Sequence, residues 1–151
     1  MSEHRARVDW DRGDREFTWE AYSRDHQWTF EGGEQVPASA APSYKGDPAR
    51  VDPEEALVAA ISSCHMLTFL ALAAKKRFVV DSYVDAAVGF MQKNEEGRAA
   101  ITRVTLRPEI RFSGERRPDA EAVAKLHHQA HEHCFIANSV RTEVTIEQPP
   151  A

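Results

Sequence analysis

Two cysteines set the chemical question. Cys64 and Cys134 are the chain's whole thiol complement. A thiolate is a nucleophile and a metal ligand, and two thiols can close to a disulfide that an external dithiol reopens. Cys64 lies near the middle of the apolar stretch from Asp52 to Lys76. Counting in threes and fours from it gives Leu57, Ala60, Ile61, Leu67, Thr68 and Ala71, an apolar stripe. A thiol buried there is a poor nucleophile unless a cation such as an arginine lowers its pKa. Cys134 falls where the helical period of a second helix runs out, a place from which backbone moves easily. A redox pair and two ordinary buried cysteines both fit these positions.

The histidines offer a rival chemistry. His127 and His131 are spaced i, i+4, His133 precedes Cys134, and His65 follows Cys64. Imidazole and thiolate are both zinc ligands. The chain has no Cys-x-x-Cys and no His-Glu-x-x-His, however, and His127, His128, His131 and His133 spread around their helix instead of converging. The expectation is no metal centre and mostly solvated histidines. Two further ionisable residues stand out, Arg24 in the loop Tyr22-Ser23-Arg24-Asp25-His26 and Glu54 at the start of the apolar stretch. Their spacing alone gives them no more than a loop charge and a charge placed on a helix macrodipole.

These residues need elements to hold them. The stretch containing Cys64 starts as a helix should: Asp52 is a good N-cap, Pro53 suits the first turn, and Glu55 completes a capping box. Lys75, Lys76 and Arg77 favour the negative end. The helix is apolar nearly all round, which predicts a buried core element. Its run from Ala56 to Ala74 is about as long as the shortest membrane spans. Ser62, Ser63, Cys64 and His65 interrupt its centre, and polar groups at that depth argue for a protein core and against a membrane.

Before this helix, Arg5–Trp10, Phe17–Trp19 and Gln27–Phe30 read as strands, and residues 35–50 read as an irregular connection carrying Pro37, Pro42, Gly46 and Pro48. After it, Phe78–Phe90 alternates as one strand. A turn at 93–98 places Gly97 at positive φ, and residues 101–112 form a long partner strand bent near Pro108. Pro118-Asp119 opens a second helix running to about His133. Thr142 to Glu147 alternates as a last half-buried strand, and Gln148-Pro149-Pro150 forms the tail.

This order predicts a single α+β domain over residues 1–151, with mainly antiparallel sheets around a long buried helix. Two helices are too few to cover such a sheet on both sides, so a homodimer sharing its core is expected. The 151-residue length supports one core, and the net charge of −5 argues against a nucleic-acid partner. The first residues, Met1-Ser2-Glu3-His4-Arg5, carry no apolar leader, and the expectation is a cytoplasmic protein. In that reducing compartment a thiol pair is more often catalytic, redox-active or metal-binding than a structural staple.

Three segments together resemble one family. Residues 53–66, Pro-Glu-Glu-Ala-Leu-Val-Ala-Ala-Ile-Ser-Ser-Cys-His-Met, resemble the peroxidatic motif of the osmotically inducible protein C and organic hydroperoxide resistance (OsmC/Ohr) family. Residues 130–139 resemble its second-cysteine motif, and residues 22–26 resemble its N-terminal arginine loop. The resemblance runs in register over essentially the whole chain. It implies an OsmC-like fold built as an intertwined homodimer with active sites at the subunit interface. It further implies a thiol-dependent peroxidase that reduces organic hydroperoxides, and hydrogen peroxide more weakly, without a cofactor. By this resemblance Cys64 is the peroxidatic thiol, Cys134 the resolving thiol, Arg24 the stabilising cation and Glu54 its orienting partner. An external dithiol, such as a lipoylated protein, would recycle the disulfide. The family often has proline after the second cysteine, where this chain has Phe135. With His65 after Cys64, this places the resemblance nearer an OsmC-like subgroup than the dedicated hydroperoxide-resistance branch.

Geometry bears on these implied roles. Glu54 and Cys64 are ten residues apart, about 15 Å along one unbroken helix. Either an extended Arg24 bridges that distance, or Arg24 and Glu54 serve the Cys64 of a partner subunit. A different class of function, a non-enzymatic thiol or metal-binding stress protein on the same fold, is the alternative expectation.

Overall fold

The computed structural model describes residues 1–148. The proline pair of the expected tail, Pro149-Pro150, lies outside them. The chain forms two compact units, Met1–Ala56 and Leu57 onward.

The first unit is a three-stranded antiparallel sheet of β1 (Ala6–Asp9), β2 (His26–Phe30) and β3 (Gln35–Ala38), in that order. Phe17–Trp19, expected as a strand, is instead part of a turn in which the Ala21 and Tyr22 amides donate to the Thr18 carbonyl. Aromatic clustering decides this. Phe17 and Tyr22 lie 5.4 Å apart, Trp10 lies 6.0 Å from Phe17, and Trp19 lies 6.4 Å from Tyr22. Such ring pairs each add about 1 kcal/mol beyond the area they bury, and a turn gathers them where a strand would spread them.

The connection expected to be irregular from residue 35 begins with β3. Pro37 is accommodated because β3 is the last strand of this sheet and needs no ladder donor on its outer side. Beyond β3 the connection is fixed by polar side chains. The buried Ser39 hydroxyl donates to Asp25 (2.9 Å) and accepts from the Asp47 amide (3.0 Å). Arg50 lies 3.6 Å from both the Asp25 and Asp47 carboxylates. Gly46 is required here, since a Cβ would stand 1.5 Å from the Ala40 carbonyl oxygen.

Helix α1 (Pro53–Lys75) begins with the expected capping box: the Glu55 amide donates to the Asp52 carboxylate (2.8 Å) and the Asp52 amide donates to Glu55 (3.2 Å). Burial within the chain is narrower than its composition predicts. Ile61, His65, Phe69 and Ala73 form its one buried stripe, whereas Ala60, Ser63, Leu67, Ala71 and Ala74 are exposed. Leu67 keeps 60% of its surface. The helix is long and apolar enough, by length and composition, to cross a membrane.

The expected strand from Phe78 to Phe90 is two strands, β4 (Val79–Asp85) and β5 (Val88–Lys93). Its partner likewise divides into β6 (Ala99–Leu106) and β7 (Pro108–Ser113), with the break beside Pro108. The result is a long hairpin folded across its middle: β4 pairs β7 and β5 pairs β6, both antiparallel. Asp85 holds the fold-over, accepting from the Arg107 amide (2.6 Å) and from the Ser62 hydroxyl of α1. At the hairpin tip the Asn94 carbonyl side chain accepts from the Glu96 and Arg98 amides, and Gly97 takes φ +75° as its turn requires. Helix α2 (Ala120–His133) is capped by Asp119, whose carboxylate accepts from the Ala122 amide (2.8 Å). Strand β8 (Glu143–Ile146) runs parallel to β6, the one parallel pairing among the named strands.

Two apolar clusters result. One gathers Phe69, Ala73, Phe78, Leu126 and Ala130, where α1, α2 and the β4–β7 pair meet. The other sets Ile61 against Val104 and Leu106, on the β5–β6–β8 sheet. The fold is α+β and mainly antiparallel, as the sequence predicts.

Candidate functional site

Helix α1 carries Cys64 beside its buried stripe, one position before His65. The stripe runs through 61, 65, 69 and 73, so Cys64 sits at its border and is half-buried. The apolar stripe counted from Cys64 in the sequence is therefore displaced by one residue from the stripe that is buried. Cys134 caps the C-terminus of α2, with its own amide donating to the His131 carbonyl (3.3 Å). It is fully buried, and its sulfur accepts from the Ala137 amide at 3.4 Å.

The fold brings these two cysteines, seventy residues apart in sequence, into one another's reach, and both are free thiols. Burial pushes the Cys134 thiol up, and hydrogen bonding and charge from the neighbouring Cys64 push it further in the same direction. The Ala137 and Ile136 amides oppose this only in part. Cys134 is thereby held as a protonated thiol beside Cys64.

Arg24 lies in the first unit and is anchored by its own loop. Its guanidinium donates to the Tyr22 and Trp19 carbonyls, each at 2.6 Å, and stacks 3.7 Å above the Tyr22 ring. Among the described residues no carboxylate pairs with it. It borders an open apolar hollow of about 470 Å³ lined by Val8, Trp10, Phe17, Tyr22 and Pro53. Glu54 stands half-buried in the first turn of α1. Arg24 and Glu54 are not joined as an ion pair.

The expectation of mostly solvated histidines fails at two positions. His65 on α1 and His127 on α2 are buried, with 1% and 3% of their surface exposed. Their rings are nearly parallel, at 10° with centroids 5.3 Å apart, and His65 Nε2 lies 3.0 Å from His127 Nδ1. Phe69 packs 4.5 Å from His127. The sequence signal was the periodicity itself: His65 is four residues from both Ile61 and Phe69. Among the described residues no group of three or more His, Cys, Asp or Glu side chains could hold a metal ion.

Both imidazoles are lowered from 6.5 to about 4, chiefly by burial; His127 and His131 add to the depression at His65, whereas Asp85 partly offsets it at His127. Both are neutral when folded near pH 7. Between about pH 6.5 and pH 4 the unfolded chain therefore binds more protons than the folded chain. Stability is full above the unfolded value and declines as pH falls through this window, by about 3 kcal/mol for one such group. Urea unfolding midpoints measured from pH 7.5 to 4.5 are expected to drop steadily below pH 6.5. A midpoint that stays level to pH 4.5 would contradict neutral burial of the pair.

Comparison with known proteins agrees with this fold. An OsmC-like protein of unknown function from Vibrio cholerae is 53% identical, with a TM-score of 0.95 over 99% of this chain and 100% of that one. An organic hydroperoxide resistance protein from Elizabethkingia anophelis is 15% identical, with a TM-score of 0.71 over 98% of this chain and 94% of that one. The organic hydroperoxide resistance protein OhrB of Bacillus subtilis is 18% identical, with a TM-score of 0.68 over 98% of both chains. At those identities the last two likenesses concern the fold alone. No curated protein matches the chain. The OsmC-like protein family matches residues 46–148, a span that includes both cysteines, and the chain belongs to that family.

Proposed function

We propose that this chain is a thiol-dependent peroxidase that reduces organic hydroperoxides, with Cys64 as the attacking thiol and Cys134 as the resolving one. The observation that carries the reading is the adjacency of the two thiols, with Cys134 kept protonated by burial and by Cys64 itself. A neighbour that stays protonated spares the attacking thiolate the repulsion of a second negative charge.

The chemistry balances with these residues. The Cys64 thiolate attacks one peroxide oxygen, the S–O bond forms, the O–O bond breaks, and the alkoxide leaves and takes a proton to become an alcohol. The Cys134 sulfur then displaces hydroxide from the sulfenic acid, and a proton from the thiol completes water. The Cys64–Cys134 disulfide is reduced by an external dithiol, which ends as a disulfide itself. A lipoylated protein in the cytosol is the proposed source of that dithiol. Arg24 is the proposed cation for the thiolate and the developing alkoxide charge, and Glu54 the group that orients it. Arg24 in an apolar, aromatic surrounding favours organic peroxides over hydrogen peroxide.

The proposed working unit is a homodimer. The exposed Ala60, Ser63, Leu67, Ala71 and Ala74 leave an apolar seam on α1 uncovered within one chain, and a second copy is the proposed cover.

The test is peroxide consumption by the purified protein with a dithiol in excess. Steady consumption of cumene hydroperoxide, faster than that of hydrogen peroxide, is expected. No consumption of any alkyl hydroperoxide by protein with both thiols reduced would overturn the reading and favour a non-enzymatic thiol protein.

A further inference from the structure

The buried histidine pair is unused by the chemistry above, yet it sits where both cysteines are positioned. His65 directly follows Cys64 on α1. His127 lies seven residues before Cys134 on α2, two helical turns or about 10 Å along the axis. Apart from the contact of Cys64 with Cys134 at the end of α2, the contact between His65 Nε2 and His127 Nδ1 is, among the described residues, the one side-chain hydrogen bond linking the two helices.

Such a pair is a costly way to fill a core. Two imidazoles are desolvated, and His65 Nδ1 is buried without any partner. Two leucines would fill similar space without that cost. A hydrogen bond does what leucines do not: it has a narrow range of length and angle, so it fixes how far one helix stands along the other. The orphaned nitrogen also assigns the protons. An unpaired buried lone pair is the lesser penalty, so His65 donates from Nε2 and His127 accepts at Nδ1.

That register matters for a disulfide. Bonding requires Cα atoms within about 4.4–6.8 Å and Cβ atoms within about 3.5–4.5 Å. A slide of α1 against α2 changes the separation of Cys64 and Cys134 directly, and that window is only about 1–2.5 Å wide. We infer that His65 and His127 form a positioning clamp that holds α1 and α2 in the register at which Cys64 and Cys134 can join. The inference rests on the reading of these two cysteines as a resolving pair.

The test equilibrates the full chain in buffers of reduced and oxidised glutathione, where oxidised glutathione takes the two electrons and leaves as two thiols. The fraction holding an intrachain Cys64–Cys134 disulfide is read by mass after acid quench. His127→Leu is expected to lower the equilibrium constant for disulfide formation at least tenfold, a rise of about 30 mV in the pair's potential. His127→Gln, which keeps a hydrogen-bonding side chain, is expected to stay within threefold of the native chain. His65→Leu repeats the test from the other helix if His127→Leu does not fold. An unchanged constant in the leucine variants overturns the clamp, as does an equal loss in the leucine and glutamine variants. Failure of both leucine variants to fold also overturns it, since the pair would then serve stability alone. A native chain that forms the disulfide but consumes no hydroperoxide refutes the peroxidase reading and leaves the clamp standing. A native chain that forms no such disulfide refutes both.

Discussion

Cys64→Ser is expected to reduce hydroperoxide consumption by at least about a thousandfold, because a hydroxyl at pH 7 supplies almost no anion to attack the O–O bond. Cys134→Ser should behave differently. One equivalent of peroxide is still consumed, and Cys64 stops as a sulfenic acid that a dimedone-type probe captures. With a dithiol in excess, its steady turnover depends on direct attack by that dithiol on the sulfenic acid. The asymmetry follows from the site: Cys134 is fully buried and its thiol is held up, whereas Cys64 lies at the border of the buried stripe. Rapid-quench assays of both variants check this. Equal and complete loss of the first turnover in both would contradict the assigned roles.

Phe69→Ala is expected to cost about 3–5 kcal/mol, the range for removing a fully buried aromatic side chain. Phe69 has no exposed surface, and its ring packs against Tyr83, Phe112 and His127 at 5.7, 6.5 and 4.5 Å. It joins α1 to α2 and to the β4–β7 pair, so no single neighbour can collapse into the space it leaves. Burial raises the Tyr83 phenol, with Asp85 adding to the effect, so this neighbour is held neutral beside the cavity. A loss of this size is a large share of the ~5–15 kcal/mol that holds an ordinary domain. Urea unfolding of the variant is the check, and a loss below about 1 kcal/mol would contradict the packing described here.

Local chemistry made some of this legible in the sequence. The Asp52–Glu55 capping box, the Gly97 turn and the break at Pro108 each depend on a few adjacent residues, and each is where it was expected. The expected OsmC-like family and fold were carried by the two cysteine motifs and the arginine loop. What was not legible depended on partners far away in the chain. Phe17–Trp19 alternates as a strand does, but Trp10 and Tyr22 draw it into a turn. Pro37 argued against a strand at residue 35, yet the outermost place in the sheet admits it. The continuous pattern from Phe78 to Phe90 gave no sign that Asp85 would fold the hairpin across itself.

The candidate site divides in the same way. The meeting of Cys64 and Cys134 needs α1, α2 and the intervening hairpin to pack, and the sequence offered only their types and spacing. The all-round apolar character of α1 promised complete burial, but one chain buries a single stripe of it. Histidine is polar enough to be assigned to the surface by type, and only its place in that stripe marks His65 as buried. By spacing alone Arg24 is a charge on a loop, and only the family resemblance gives it a role beside a thiolate. The rings around Arg24 and the two carbonyls it grips hold its guanidinium in one place, with no carboxylate among the described residues paired to it.

The central claim is that Cys64 and Cys134 act as one redox pair on organic peroxides. Its most direct test treats the reduced full chain with one equivalent of cumene hydroperoxide and maps its cysteines by peptide mass without reductant. The account predicts one intrachain disulfide joining Cys64 and Cys134, two hydrogens lighter than the reduced pair, formed as the hydroperoxide is consumed. Recovery of both thiols free, with the hydroperoxide intact, would contradict it.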